Sequence, residues 1–140
     1  ELVRVKDGVR YYNDSIASSP SRTIAGLRSF PEKVILIAGG YDKHIPYDVL
    51  GPEICAHVKK LFLGGATGPK IRAAVENAPE YLPGIPEIVD CGDFTKATLA
   101  AARAAEPGDV VLMSPASAAF DQFKNFMVRG QYFKKLVKEL

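Results

Sequence analysis

Three short apolar runs in this chain end in glycine or other small residues, and helical spacing follows two of them directly. Val34 to Ala38 leads into Gly39-Gly40, Leu61 to Leu63 into Gly64-Gly65, and Asp109 to Met113 into Ser114-Pro115-Ala116. Uninterrupted apolar strands suit a parallel sheet buried on both faces. Ahead of the first run Ile24, Leu27 and Phe30, and between the first and second Leu50, Ile54 and Val58, recur at the three- and four-residue spacing of a helix face. Strands alternating with helices imply a Rossmann-like three-layer α/β domain, its sheet mostly parallel with helices on both faces.

The chain ahead of this pattern reads differently. Leu2 to Lys6 and Val9 to Asn13 are β-rich runs separated by Asp7-Gly8, the signature of an N-terminal β-hairpin. Ser19-Pro20 predicts an N-cap with proline at the first helical position, and the helix stops before Pro31. Further helices are expected over Tyr47 to Lys59, with Gly51-Pro52 as a possible split, and over Gly68 to Asn77 and Phe94 to Ala105. Glu87 to Val89 reads as a short strand. Asp121 is a good N-cap for a last helix over Phe123 to Leu140, broken near Gly130.

At 140 residues the chain suits one domain, with no linker or repeat. A net charge of +2 with scattered basic residues argues against a nucleic-acid or membrane-surface partner. No apolar run approaches the roughly 18 residues of a membrane span. Cys55 and Cys91 fit no metal spacing and read as free thiols of a reducing compartment. Beginning at Glu1 inside a strand pattern, the sequence reads as a piece of a longer protein.

Open α/β sheets bind ligands outside the carboxyl ends of their strands, so the loops after the apolar runs are the candidate site. The small-residue loop from Ser114 opens a helix, whose free N–H groups favour anions. Gly39-Gly40-Tyr41-Asp42-Lys43 turns at that edge, but neither G-x-x-x-x-G-K-[ST] nor G-x-G-x-x-G occurs anywhere in the chain. Lys43 is either a solvated lysine or a cation placed to meet a carboxylate or phosphate. Asn13-Asp14-Ser15 is either a turn or a place where Asp14 accepts from ribose hydroxyls. Ser18 and Ser19 share that ambiguity with capping, and His44 either lines the site or is ordinary surface. No Ser/His/Asp or Cys/His arrangement and no carboxylate pair is evident.

Five motifs fall in order: Tyr12-Asn13-Asp14-Ser15; Gly39-Gly40-Tyr41-Asp42-Lys43; Gly108 to Ala116; Phe120-Asp121-Gln122-Phe123-Lys124-Asn125-Phe126; and Arg129-Gly130. Together they resemble the C-terminal domain of the Mur ligases of peptidoglycan synthesis, in particular the member that adds D-glutamate to UDP-N-acetylmuramoyl-L-alanine. The resemblance covers residues 1–140 as one amino-acid-binding, ATP-closing domain of a three-domain cytoplasmic enzyme. It implies that ATP phosphorylates the muramoyl-alanine carboxylate and that the D-glutamate amine attacks the acyl phosphate. ATP and Mg2+ would be held mainly by a central domain absent here, so this chain alone would be inactive. The resemblance places Lys43 on a D-glutamate carboxylate, with Ser18, Phe120, Asn125 and Phe126 around the amino acid and Asp14 near the ATP ribose. Catalytic and metal-binding residues are expected in the other domains.

Two positions depart from the family pattern. Ile16 stands where many members have Lys, with Arg22 a possible substitute for the charge. Ala119 stands where Ser often contacts the amino acid. These departures keep a Mur ligase adding another amino acid in play. A non-enzymatic nucleotide-sensing or interaction module is the alternative from another class. A receiver of that kind would want acidic residues at strand ends, where glycines stand.

Overall fold

The computed structural model describes residues 1–120 and 122–140. Strands β1 (Leu2–Lys6) and β2 (Val9–Asn13) form the hairpin, and the remaining strands are β3 (Val34–Ala38), β4 (Val58–Gly64), β5 (Glu87–Gly92) and β6 (Val110–Met113). The helices are α1 (Pro20–Arg28), α2 (Leu50–His57), α3 (Gly68–Glu76), α4 (Phe94–Ala104) and α5 (Phe126–Lys138). All six strands join one sheet in the order β1-β2-β6-β3-β4-β5. Only β1 runs antiparallel to its neighbour.

The period-2 alternation of strand side chains sorts the core into two layers. Val34, Leu36, Leu61, Leu63, Val110 and Leu112 face Leu27 of α1, Leu50 and Ile54 of α2, and Ile71 and Val75 of α3. Ile35, Ile37, Phe62, Val111 and Met113 face Phe94 and Ala97 of α4 and Phe133 and Val137 of α5. Both faces of β3 and β6 are therefore buried, which is why their sequences lack alternation. The sheet order places β6 between β2 and β3, so the loops leaving these three parallel strands lie side by side at one sheet edge.

Several boundaries differ from the expectation. The helix expected to Lys59 ends at His57, and β4 takes over at Val58 because this segment must pair with Val34 and Lys60 with Glu87. The fifth strand runs on to Gly92 rather than ending at Val89. Ser19 takes the N-cap position of α1, but its hydroxyl makes no capping bond. The last helix starts at Phe126, where the Asn125 side chain accepts the Val128 N–H at 2.9 Å. The expected Asp121 cap lies outside the described residues. Nor does α5 break at Gly130. A Cβ there would come within 3.0 Å of Asn13 Nδ2 and 3.3 Å of the Ser15 Cβ, so glycine serves close approach of the helix to the β2 tip.

Candidate functional site

The tips of β2 and β6 are joined by a hydroxyl–carboxylate contact. Asn13 Oδ1 accepts the Ser15 N–H at 3.0 Å, turning the chain after β2 and presenting Asp14 inward. Ser114 Oγ donates to Asp14 Oδ2 at 2.7 Å and lies 3.0 Å from Thr23 Oγ1 of α1. Burial pushes the Asp14 carboxyl up from its ordinary range, partly offset by the Ser114 hydrogen bond and by the positive charges of Glu1's amino group and Arg22. Arg22 thus acts on Asp14 through its field, from the helix that follows Ile16. Asp14 Oδ1 makes no hydrogen bond among the described residues, and Asp14 lines a cavity of about 490 Å³ together with Tyr12, Gly26 and Phe30. Gly26 matters for space: a Cβ at this position would sit 2.7 Å from Asp14 Oδ2.

A second tie comes from α5. Arg129, 1% exposed, donates from Nε to Ser15 Oγ at 2.9 Å, from one terminal nitrogen to the Ser117 carbonyl at 2.9 Å, and from the other to the Ser15 carbonyl at 2.7 Å. Ser15 Oγ in turn donates to the Phe126 carbonyl at 2.7 Å. One planar guanidinium therefore holds the loop after β2, the loop after β6 and the start of α5 in fixed relation.

The loop after β3 is fixed by its backbone. Gly39 N–H donates to the Pro115 carbonyl at 2.9 Å and Tyr41 N–H to the Ala118 carbonyl at 2.8 Å. A Cβ on Gly40 would meet the Ala118 oxygen at 2.5 Å, so the two loops can approach only with glycine there. Tyr41 and Phe120, both exposed, stack edge to face with centroids 6.0 Å apart. Asp42 is held by Lys70 at 2.6 Å and by the His44 N–H at 2.7 Å, and the Lys70 contact above all keeps its carboxyl below the usual range. Lys43 is exposed and makes no hydrogen bond or ion pair among the described residues. His44 projects into solvent with its side chain 85% exposed, as expected of ordinary surface.

The candidate residues thus divide. Lys43 follows β3, Asp14 and Ser18 follow β2, and Phe120, Asn125 and Phe126 follow β6, so all six share the carboxyl edge of three adjacent strands. Phe126 is brought against Ser15, and Phe120 against Tyr41, two residues before Lys43. The Asn125 side-chain oxygen is spent on the helix cap and its carbonyl accepts the Arg129 N–H at 3.2 Å, leaving the amide nitrogen for a ligand. Ser18 is half-buried, and its hydroxyl has no partner among the described residues. Ala119 is 3% exposed, and its carbonyl accepts the Gln122 and Phe123 N–H groups. The sequence marks Ser114 only as the head of the loop after β6 and Arg129 only within a family motif, and it marks no role for Thr23, Thr67, Ser117 or Tyr47. Arg129 did carry a signal, a charged residue one turn into a helix whose inward face is otherwise apolar. The hydroxyls carried none. Among the described residues, no group of three or more His, Cys, Asp or Glu side chains could hold a metal ion, and no helix is long and apolar enough to cross a membrane.

Known proteins match this architecture. The family described as Mur ligase, glutamate ligase domain, matches residues 1–117. The chain is 56% identical to a UDP-N-acetylmuramoylalanine–D-glutamate ligase of Acetivibrio thermocellus, over all of this chain and 30% of that protein. It is 52% identical to the ligase of the same name from Clostridium beijerinckii, over all of this chain and 31% of that protein. The chain therefore spans about a third of the length of these relatives. A murein peptide ligase of Psychrobacter arcticus superimposes with a TM-score of 0.63 at 13% identity, over all of this chain and 30% of that one, which speaks for the fold alone. Strand order, two-layered core and the run of matched residues agree: this chain belongs to the Mur ligase glutamate ligase domain family.

Proposed function

We propose that residues 1–140 form the C-terminal, amino-acid-binding domain of a three-domain, ATP-dependent cytoplasmic ligase that joins D-glutamate to UDP-N-acetylmuramoyl-L-alanine in peptidoglycan precursor synthesis. The observation that carries this reading is the convergence of Lys43, Asp14 and Phe126 on one sheet edge, from loops that backbone bonds and Arg129 tie together. Its relatives at 48–56% identity carry the D-glutamate ligase name, which favours D-glutamate over another amino acid despite Ile16 and Ala119.

In this reading each group has a task suited to its chemistry. Lys43 is an exposed point charge with no partner among the described residues, suited to a D-glutamate carboxylate. The Ser18 hydroxyl, Phe120, and Asn125-Phe126 frame the amino acid beside it. Asp14 Oδ1 is the acceptor offered to the ATP ribose. Among the described residues no three His, Cys, Asp or Glu side chains could hold Mg2+, and in this reading the ion and most of the ATP contact fall to the central domain. ATP supplies the phosphoryl group that activates the acceptor carboxylate, and this domain orients the D-glutamate amine for attack. Closure of the domain over both ligands completes the site.

The test is steady-state kinetics on the full-length enzyme. Lys43→Ala is expected to raise the KM for D-glutamate by about tenfold or more while moving that for ATP much less. An unchanged D-glutamate response removes Lys43 from the site. The purified 140-residue chain is expected neither to consume ATP nor to ligate, and ligation by it alone would overturn the division of labour.

A further inference from the structure

Behind the Lys43 loop lies a buried chain of hydroxyls. Thr67 is 0% exposed, Ser117 1% and Tyr47 4%. Thr67 Oγ1 accepts the Gly40 N–H at 2.9 Å and lies 2.8 Å from Ser117 Oγ, which lies 2.9 Å from the Tyr47 hydroxyl. The Thr67 N–H returns a bond to the Gly40 carbonyl at 3.1 Å, so both polar groups of Gly40's backbone end on one threonine. The three side chains come from the segments after β4, after β6 and between β3 and α2. They enclose both ends of the segment Gly40 to Tyr47 that carries Lys43.

This placement is costly unless it is satisfied. An N–H or hydroxyl left unpaired away from water costs roughly 1–3 kcal/mol, and an apolar core residue at 67 would avoid the issue for its own side chain but leave the Gly40 N–H without its acceptor. The Lys43 loop has few other anchors. Among the described residues, beyond Tyr41 its internal hydrogen bond is the His44 N–H to Asp42, Asp42 is held by exposed Lys70, and Ile45 packs partly buried against the core. The height and direction of the segment above the sheet edge are thus set from beneath by Thr67, and from its far end by Tyr47 through Ser117.

We propose that Thr67, with Ser117 and Tyr47, is a positioning residue for amino-acid binding. None of the three is a catalytic residue. They set where Lys43 stands and so act on affinity for the amino acid rather than on ATP. The inference rests on the reading that Lys43 meets D-glutamate.

The experiment compares Thr67→Val, Thr67→Ser and Tyr47→Phe in the full-length enzyme, with Lys43→Ala as reference. Thr67→Val keeps the branched shape and removes the oxygen. It is expected to raise the KM for D-glutamate by about fivefold to tenfold, with the KM for ATP and kcat within about twofold. Thr67→Ser keeps the oxygen and is expected to restore the D-glutamate KM to within about twofold of the parent. Tyr47→Phe removes the far end of the chain and should give a smaller rise in the same parameter. An equal rise in both KM values, or a lowered melting temperature with both KM values unchanged, overturns the proposal and leaves Thr67 a purely structural residue. If Thr67→Val does not fold, Ser117→Ala carries the same comparison and is judged by the same two results. If Lys43→Ala itself leaves the D-glutamate KM unchanged, the functional reading fails. If Lys43→Ala raises it and Thr67→Val does not, only the positioning role fails.

Discussion

Ser114 Oγ donates to Asp14 Oδ2 at 2.7 Å, joining two strand tips one hundred residues apart in the chain. The bond stabilises a carboxylate that burial otherwise disfavours, and the two effects set a testable pH dependence. Because the folded chain holds the Asp14 proton more tightly than the unfolded chain, stability falls as pH rises from the ordinary carboxylate value toward the raised folded value. It is regained in acid. Asp14→Asn is therefore expected to melt higher than the parent near neutral pH, with the advantage shrinking as pH falls to about 4. Ser114→Ala removes the compensating donor and should cost about 1.5–3 kcal/mol near neutrality and less in acid. Thermal melts across pH decide both, and a Ser114→Ala cost that does not change with pH would dissociate the serine from the carboxylate.

Asp109 gives the opposite sign at the other end of β6. Burial pushes its carboxyl up, but the Lys59 ammonium and the Glu106 N–H at 2.9 Å more than offset this and leave it below the ordinary value. Its contribution is fully present above the unfolded carboxylate value and is lost as pH falls through the lowered folded value. Lys59 is partly exposed, so solvent screens the pair and Lys59→Met is expected to cost less than about 1 kcal/mol. Asp109→Ala also orphans the Glu106 N–H and should cost more, about 1–3 kcal/mol. Denaturant titrations at neutral and acid pH measure both: Lys59→Met should converge with the parent in acid, while Asp109→Ala keeps the part of its cost that comes from the Glu106 N–H.

Gly40→Ala tests the close approach of the two site loops. A Cβ would meet the Ala118 oxygen at 2.5 Å and the Ser117 Cβ at 3.1 Å, and both neighbours are held by hydrogen bonds. Neither can yield without breaking the Tyr41–Ala118 pairing or the Thr67–Ser117 contact. The expected loss is about 1–3 kcal/mol, the usual range for forced overpacking. A neutral substitution, read by urea unfolding, would mean that the loops are not packed as described.

Much of this could be read from the residues alone, and the limits have physical causes. β3 and β6 were legible because burial on both faces leaves an unbroken apolar run, and the hairpin because Asp7 and Gly8 both adopt positive φ, as the Asp-Gly turn requires. The start of β4 was not legible: Val58, Lys59 and Lys60 continue the helical spacing of α2, and only pairing with β3 and β5 makes them strand. Gly130 looked like a helix breaker because a sequence cannot display Asn13 and Ser15 pressing on that face. At the site, the glycine turn and the residues at the sheet edge were visible from their order along the chain. The Thr67–Ser117–Tyr47 chain was not, since small hydroxyl residues scattered over 70 positions carry no spacing signal.

Arg129 is the strongest single test of how the site is held. Its three nitrogens each donate to a different acceptor, the Ser15 hydroxyl, the Ser15 carbonyl and the Ser117 carbonyl, in a geometry only a planar fork supplies. Arg129→Met fills the volume but leaves two buried carbonyls and a serine hydroxyl without their donor. Each such hydrogen bond to a charged group contributes roughly 1.5–3 kcal/mol, so a total loss of about 3 kcal/mol or more is expected even after partial relaxation. Arg129→Lys keeps the charge but replaces the fork with a point donor, and it should recover only a minor part of the loss. The cost should be expressed first where the fork acts, at the loops after β2 and β6. Amide hydrogen exchange is the measurement: the Asp14 N–H, bonded to the Met113 carbonyl, and the Ala116 N–H, bonded to the Ala17 carbonyl, should lose protection before the β3 and β4 amides do. Uniform loss across the sheet would instead make Arg129 a support of the whole domain, with no special hold on the site.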